Sequence, residues 1–160
     1  DPEITNLVPV LDSYRLMIHV AIITASYGFL ALGAILGFIN LVLMILQNKV
    51  NFKRITNSIS ELTYINEMSI TVGLFLLSIG TFLGGIWANE SWGRYWGWDP
   101  KETWAFITWI IYAAYLHSRV TVGWKGTKSA WVSIFGYAAI VFNFFVFRLQ
   151  CLACWNNAEH

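Results

Sequence analysis

The sequence predicts an all-α, polytopic membrane protein with about four transmembrane helices and a tryptophan-rich loop on the outer face. Three observations predict it. Of 160 residues, 57% are hydrophobic and only 12% charged, about half the charge content of an ordinary soluble domain. The apolar residues gather in long continuous runs instead of alternating with polar ones, which argues against a membrane β-barrel. Between two of those runs, Trp87 to Trp104 holds five tryptophans in eighteen residues. Tryptophan suits a membrane surface because its ring can face lipid while its N–H stays in water. A net charge of +1 with scattered Lys and Arg gives no basis for nucleic-acid binding.

The first span is placed at about 16–46. No residue there carries a formal charge apart from His19 when protonated, and at ~1.5 Å per residue such a helix outruns a ~30 Å hydrocarbon core. The connection from Gln47 to Asn66 reads as a polar surface segment with an amphipathic turn around Ile59 to Ile65. The second span follows at 68–88. The third is placed at 100–118, because Asp99 suits an N-cap, Pro100 the first helical position, and Glu102 the far side of a capping box. The fourth is placed at 129–147. One membrane domain thus covers 1–147, and 148–160 is an atypical tail that reads as frameshifted or disordered. The chain opens on Asp1-Pro2-Glu3 with neither an initiator methionine nor a leader, so it reads as a piece of something longer.

Basic residues set the expected orientation. Lys49, Lys53 and Arg54 lie between the first two spans, and Arg119, Lys125 and Lys128 between the last two. Those connections are expected on the cytoplasmic side. The amino terminus, the tryptophan loop and the carboxy terminus then share the outer face.

The loop is too rich in indoles for anchoring alone, which needs one or two rings. Trp92, Trp96 and Trp98, interleaved with Gly93 and Gly97, describe a platform for a large flat apolar ligand such as a tetrapyrrole. Trp104 extends it, and Arg94 and Lys101 pair either with ligand propionates or with lipid phosphate. An interfacial belt accounts well for Trp87, Trp104 or Trp124 but poorly for the density from Trp92 to Trp98. For Asp99 and Glu102, helix capping is a sufficient account, and no catalytic residue is assigned. His19 is expected beside the loop. His117 stands eighteen residues after Asp99, ~27 Å along a helix and so near the opposite surface. Neutral imidazole is a common axial ligand of haem iron, and ionisable groups within spans are functional candidates. The alternatives are an interfacial histidine bonded to water or backbone for His19 and a polar helix end for His117. Cys151 and Cys154 form a Cys-x-x-Cys followed by Trp155 instead of the histidine of a haem-attachment motif, and the pair reads as incidental.

Trp92-Gly-Arg-Tyr-Trp-Gly-Trp-Asp-Pro-Lys-Glu-Thr-Trp-Ala-Phe-Ile-Thr-Trp109 resembles the tryptophan-rich WWD signature of the haem-handling membrane proteins of cytochrome c maturation. The likeness is best to the CcsA branch and extends from Ile4 to Phe145, including the surroundings of His19 and of His117. The resemblance implies cytochrome c biogenesis. It implies that haem b, as substrate, would be held within the membrane by histidines. By the same likeness it would then pass to an outer site formed by the loop, with Trp92, Arg94, Trp96, Trp98, Asp99 and Trp104, between two external histidines. There it is joined to the Cys-x-x-Cys-His thiols of an apocytochrome c, so the chain would be part of a cytochrome c synthase, a haem lyase.

By position His19 matches the first external histidine and His117 one of the two membrane histidines, which makes both candidate ligands of haem iron. The partner of His117 would lie on a segment outside this chain. The second external histidine would follow the fourth span near Trp155, where the sequence from about Val146 departs from the family, and His160 is a poor substitute. The implied partners are a CcsB-type (ResB-like) membrane subunit or fused segment, apocytochrome c, a thiol-reducing protein and membrane lipid. The implied location is the cytoplasmic membrane with the loop on the periplasmic face, or the thylakoid membrane in a plastid. Two alternatives remain beside this reading: a haem exporter or chaperone that performs no ligation, and a structural or quinone-binding membrane subunit.

Overall fold

A computed structural model describes residues 14–48, 51–124 and 126–158, with the backbone alone at 146–147 and 150–158. The described residues form four helices and no strand: α1 Tyr14–Ile45, α2 Phe52–Trp92, α3 Pro100–Val122 and α4 Thr127–Ala158. Lys49, Lys125 and His160 lie outside the described residues, as do the side chains of Cys151, Cys154 and Trp155.

α1, α2 and the stretch 127–145 of α4 are long and apolar enough to cross a membrane. α3 has 23 residues, about 35 Å, but Lys101, Glu102, His117 and Arg119 sit toward its ends and it falls short of that apolarity. The chain is a multi-pass helical membrane protein.

The second helix begins well before the expected 68. α2 is one continuous helix of 41 residues, about 60 Å long, and it absorbs most of what the sequence reading took for a surface connection. The cause is a stripe that polar neighbours obscure. Ile55, Ile59, Leu62, Thr63, Asn66, Ser69 and Ile70 are the more sheltered positions of this stretch, between exposed ones such as Asn57, Ser58 and Glu61. Spacings of three and four residues keep them on one face. Stop signals match their residues better: Gly93 and Gly123, with φ of 71° and 68°, cap α2 and α3 by donating their N–H groups to Asn89 and Arg119. The backbone of α4 continues to Ala158, through the segment that the sequence reading took as an atypical tail.

α1 and α2 form an antiparallel central pair, α4 packs on α1, and α3 packs mainly on α4. Burying apolar side chains out of lipid brings little gain, so close approach and interhelical hydrogen bonds must hold such a bundle. Both are present. Gly73 and Gly80 admit Leu30 and Ile23 so closely that a Cβ on either glycine would come within 3 Å of them. The Ser26 hydroxyl donates to the Gly73 carbonyl at 2.8 Å, and the Ser69 hydroxyl to the Phe29 carbonyl at 2.7 Å. Further along, a buried polar seam ties all four helices. Asn40 donates to Thr63, Asn66 donates to Ser133 at 3.0 Å, the Tyr115 and Ser129 hydroxyls bond each other, and Arg119 pairs with Glu67. Leu30, Ile70, Leu77, Tyr112, Tyr115 and Ile140 make the apolar core beside it.

Asn66 is fully buried and links α2 to α4 through Ser133. Asn66→Leu is expected to remove about 1 kcal/mol and to lower the thermal unfolding midpoint in detergent. An unchanged midpoint would show that the seam is dispensable.

Candidate functional site

One end of the bundle gathers the start of α1, the end of α2, the loop 93–99 and the start of α3. Arg15 on the first turn of α1 pairs with Glu90 near the end of α2, both half exposed. One helical turn further, His19 donates its Nδ1–H to the Gly80 carbonyl, 2.7 Å away. Its ring lies on Gly84, where a Cβ would stand 2.6 Å from Cε1. The next residue, Gly85, lies against the loop: the Tyr95 carbonyl oxygen is 3.4 Å from where its Cβ would be. His19 and the loop therefore dock on adjacent glycines of α2.

The loop is held from within. Gly97 donates its N–H to the Glu102 carboxylate at 2.8 Å, and the Arg94 guanidinium folds over Gly97, 3.3 Å from its missing Cβ. Asp99 occupies the N-cap position and Pro100 the first turn, as the sequence predicts, but Asp99 makes no side-chain cap bond. The expected capping box is thus replaced: Glu102 reaches past the cap to Gly97 and ties the loop instead of the helix end. Glu102→Ala is expected to loosen the loop by about 1–2 kcal/mol, the worth of a partly exposed bond to a carboxylate. Tryptic cleavage after Arg94 would quicken about tenfold, with Glu102→Gln in between; equal cleavage rates in all three proteins would contradict this hold.

Trp98 has φ 54°, the left-handed region that a bulky residue seldom adopts. Trp98 is also 70% exposed. Trp92 and Tyr95 are likewise exposed, at 61% and 64%. Behind them the half-buried rings give support: Trp92 meets Trp87 edge-on at 5.0 Å, and Trp98 meets Trp96, which in turn meets Phe106 at 6.2 Å. Phe106 stacks in parallel on Trp109, whose indole N–H bonds Ser78 at 2.8 Å. The result is a set of outward rings on an aromatic footing.

Not every residue expected at the site is brought there. Trp104 turns toward α4 and meets Phe142 at 4.7 Å, so it fastens α3 to α4 and stands behind the loop. Asp99 is exposed, its carbonyl accepting from Thr103. His117 is exposed near the far end of α3. There the neighbouring Arg119 holds Glu67 of α2 and the Trp124 carbonyl. His19 and His117 thus serve opposite ends of the bundle. Gly80 and Gly84 are not among the residues the sequence points to, and Tyr95 enters only within the Trp92–Trp109 motif; the advance signal for the two glycines is their recurrence one turn apart.

These features define a class: a polytopic helical membrane protein that displays exposed indoles and a sheltered imidazole together at one end of its bundle. The sequence profile described as cytochrome C assembly protein matches residues 1–152. The chain belongs to that family. It is 58% identical over 120 residues to protein NrfI of Wolinella succinogenes, a match that covers 75% of this chain and 13% of that protein. It is also similar to the cytochrome c biogenesis proteins CcsA of Chlamydomonas reinhardtii and Guillardia theta, at 43% and 40% identity. Those matches cover 88% and 84% of this chain and 39% and 50% of the two relatives. The chain thus spans half or less of the length of these three relatives.

Proposed function

We propose that the chain binds haem and presents it at the outer membrane face for covalent attachment to the Cys-x-x-Cys-His motif of an apocytochrome c. Membership of a cytochrome c assembly family supports the general task. The observation that carries the finer reading is the docking of His19 and of the tryptophan loop on the adjacent glycines Gly84 and Gly85. A porphyrin offers a broad apolar face, an iron that takes imidazole, and anionic propionates. Trp92, Trp98 and Tyr95 offer ring faces to it, His19 an axial nitrogen, and Arg94 a cation. Haem b here is cargo. The chain supplies orientation and a water-poor surface, while the thiols that attack the vinyl groups belong to the apocytochrome.

In this reading His117, exposed at the far end, takes part in an earlier haem site within the membrane, together with a histidine of a CcsB-type subunit or fused segment. A second external histidine also comes from elsewhere. A thiol-reducing protein keeps the apocytochrome ready. The loop faces the periplasm, or the lumen of a plastid thylakoid.

The direct test is to express the full-length gene product with an apocytochrome c in cells lacking their own assembly proteins and to assay haem that survives denaturation on the cytochrome. Covalent haem supports presentation and ligation. Haem delivered across the membrane but left unattached would favour the exporter reading, and neither outcome would leave only the structural or quinone-binding subunit.

A further inference from the structure

We infer that the Gly80 carbonyl and the bare Cα of Gly84 are positioning elements for the His19 imidazole, fixing its tautomer and rotation so that Nε2 is the nitrogen left for iron; the inference rests on the haem-presenting reading above, which already gives His19 as a ligand. A backbone carbonyl only accepts, so at 2.7 Å from the Gly80 oxygen the Nδ1 of His19 must carry the proton. The lone pair is then on Nε2. Among the described residues no group bonds Nε2, and it is absent from the buried side-chain atoms that lack a partner, so it opens to the surroundings. A ring nitrogen that donates to a carbonyl fixes both the tautomer and the rotation of the imidazole, and makes the other nitrogen a stronger donor to metal.

Gly84 completes the cradle. The ring lies flat on it, with a hypothetical Cβ at 2.6 Å from Cε1, 3.0 Å from Nδ1 and 3.2 Å from Nε2. Any side chain at 84 would push the ring outward and break its alignment with the Gly80 oxygen. Because the imidazole is the free end of a side chain, the ring would yield and the helix pairing would survive. Gly80 and Gly84 are therefore positioning residues, one turn apart on α2, with the iron ligand between them and the loop.

The test uses the full-length protein in detergent, loaded with haem, carrying His19→Gly. Imidazole, 4-methylimidazole and 1-methylimidazole are titrated and the visible spectrum followed. The first two keep an N–H for the Gly80 carbonyl; the third has none, and 4-methylimidazole controls for the bulk of the methyl group. The expected result is recovery of the native spectrum by imidazole and 4-methylimidazole at about threefold to tenfold lower concentration than by 1-methylimidazole, the effect of one hydrogen bond. Equal concentrations for all three would overturn the Gly80 role while leaving His19 a ligand. A His19→Gly protein whose spectrum already equals the native one would overturn His19 as a ligand altogether. In a second arm, Gly84→Ala is expected to shift the haem reduction potential and spectrum with haem still bound. Gly73→Ala, whose Cβ would press on Leu30 at 2.8 Å, is expected to change neither. An unshifted Gly84→Ala protein would overturn the cradle.

Discussion

Replacing His19 with alanine is expected to abolish haem attachment to a co-expressed apocytochrome c, a loss of about a hundredfold or more, with little loss of folded protein. The asymmetry follows from its surroundings. His19 is half buried, and among the described residues its polar partner is the Gly80 carbonyl. That carbonyl lies within α2, so losing the imidazole leaves no buried charge behind. The α1–α2 pair is held elsewhere by Ser26, Ser69 and the close contacts at Gly73 and Gly80. Function suffers differently, because an unligated haem at an aromatic surface is free to turn, and misplacement by about 1 Å can cost a hundredfold in rate. The comparison to make is covalent haem per unit of membrane-inserted protein. Attachment persisting near the native level would remove His19 from the mechanism.

The second large effect belongs to the exposed indoles. Trp92→Ala together with Trp98→Ala is expected to weaken haem retention about a thousandfold. Each ring can cover about 80 Å² of a porphyrin face, about 2 kcal/mol per ring at ~25 cal/mol per Å², and two such losses together approach three powers of ten. Both side chains are mostly exposed, at 61% and 70%, so the fold should tolerate their truncation. The proper control is Phe82→Ala, since Phe82 is another large apolar side chain, 78% exposed on α2. If the tryptophans are only an interfacial belt, the double variant and the control will hold equal haem through purification.

Much of this site could be read from the residues. The density of indoles between Trp87 and Trp104 and the Asp99-Pro100 helix start are local patterns, and local patterns survive translation into structure. His19 was placed near the loop by topology alone, since α1 and α2 run antiparallel. What escaped were features that depend on register between helices. No sequence rule shows that Gly84 faces His19, or that Gly85 receives the Tyr95 carbonyl, before α1 and α2 are set side by side. Trp104 was grouped with the loop because it is near in sequence; one helical turn into α3 it faces Phe142 instead. Glu102 follows the right chemistry, a carboxylate reaching back to an N–H, but it accepts from Gly97 instead of from the cap residue Asp99. The early start of α2 escaped for another reason: Asn57, Ser58 and Glu61 masked a stripe whose buried members include Thr63, Asn66 and Ser69, polar residues that an apolar-run reading discards.

Haem is expected to occupy the end of the bundle where His19 and the tryptophan loop meet. The visible absorption spectrum of the full-length protein, purified in detergent without added haem, measures this directly. The expected result is a bound haem with the spectrum of an iron held by two imidazoles, altered on substitution of His19 to glycine and restored by imidazole. A properly folded protein that emerges free of haem and takes none up would contradict it.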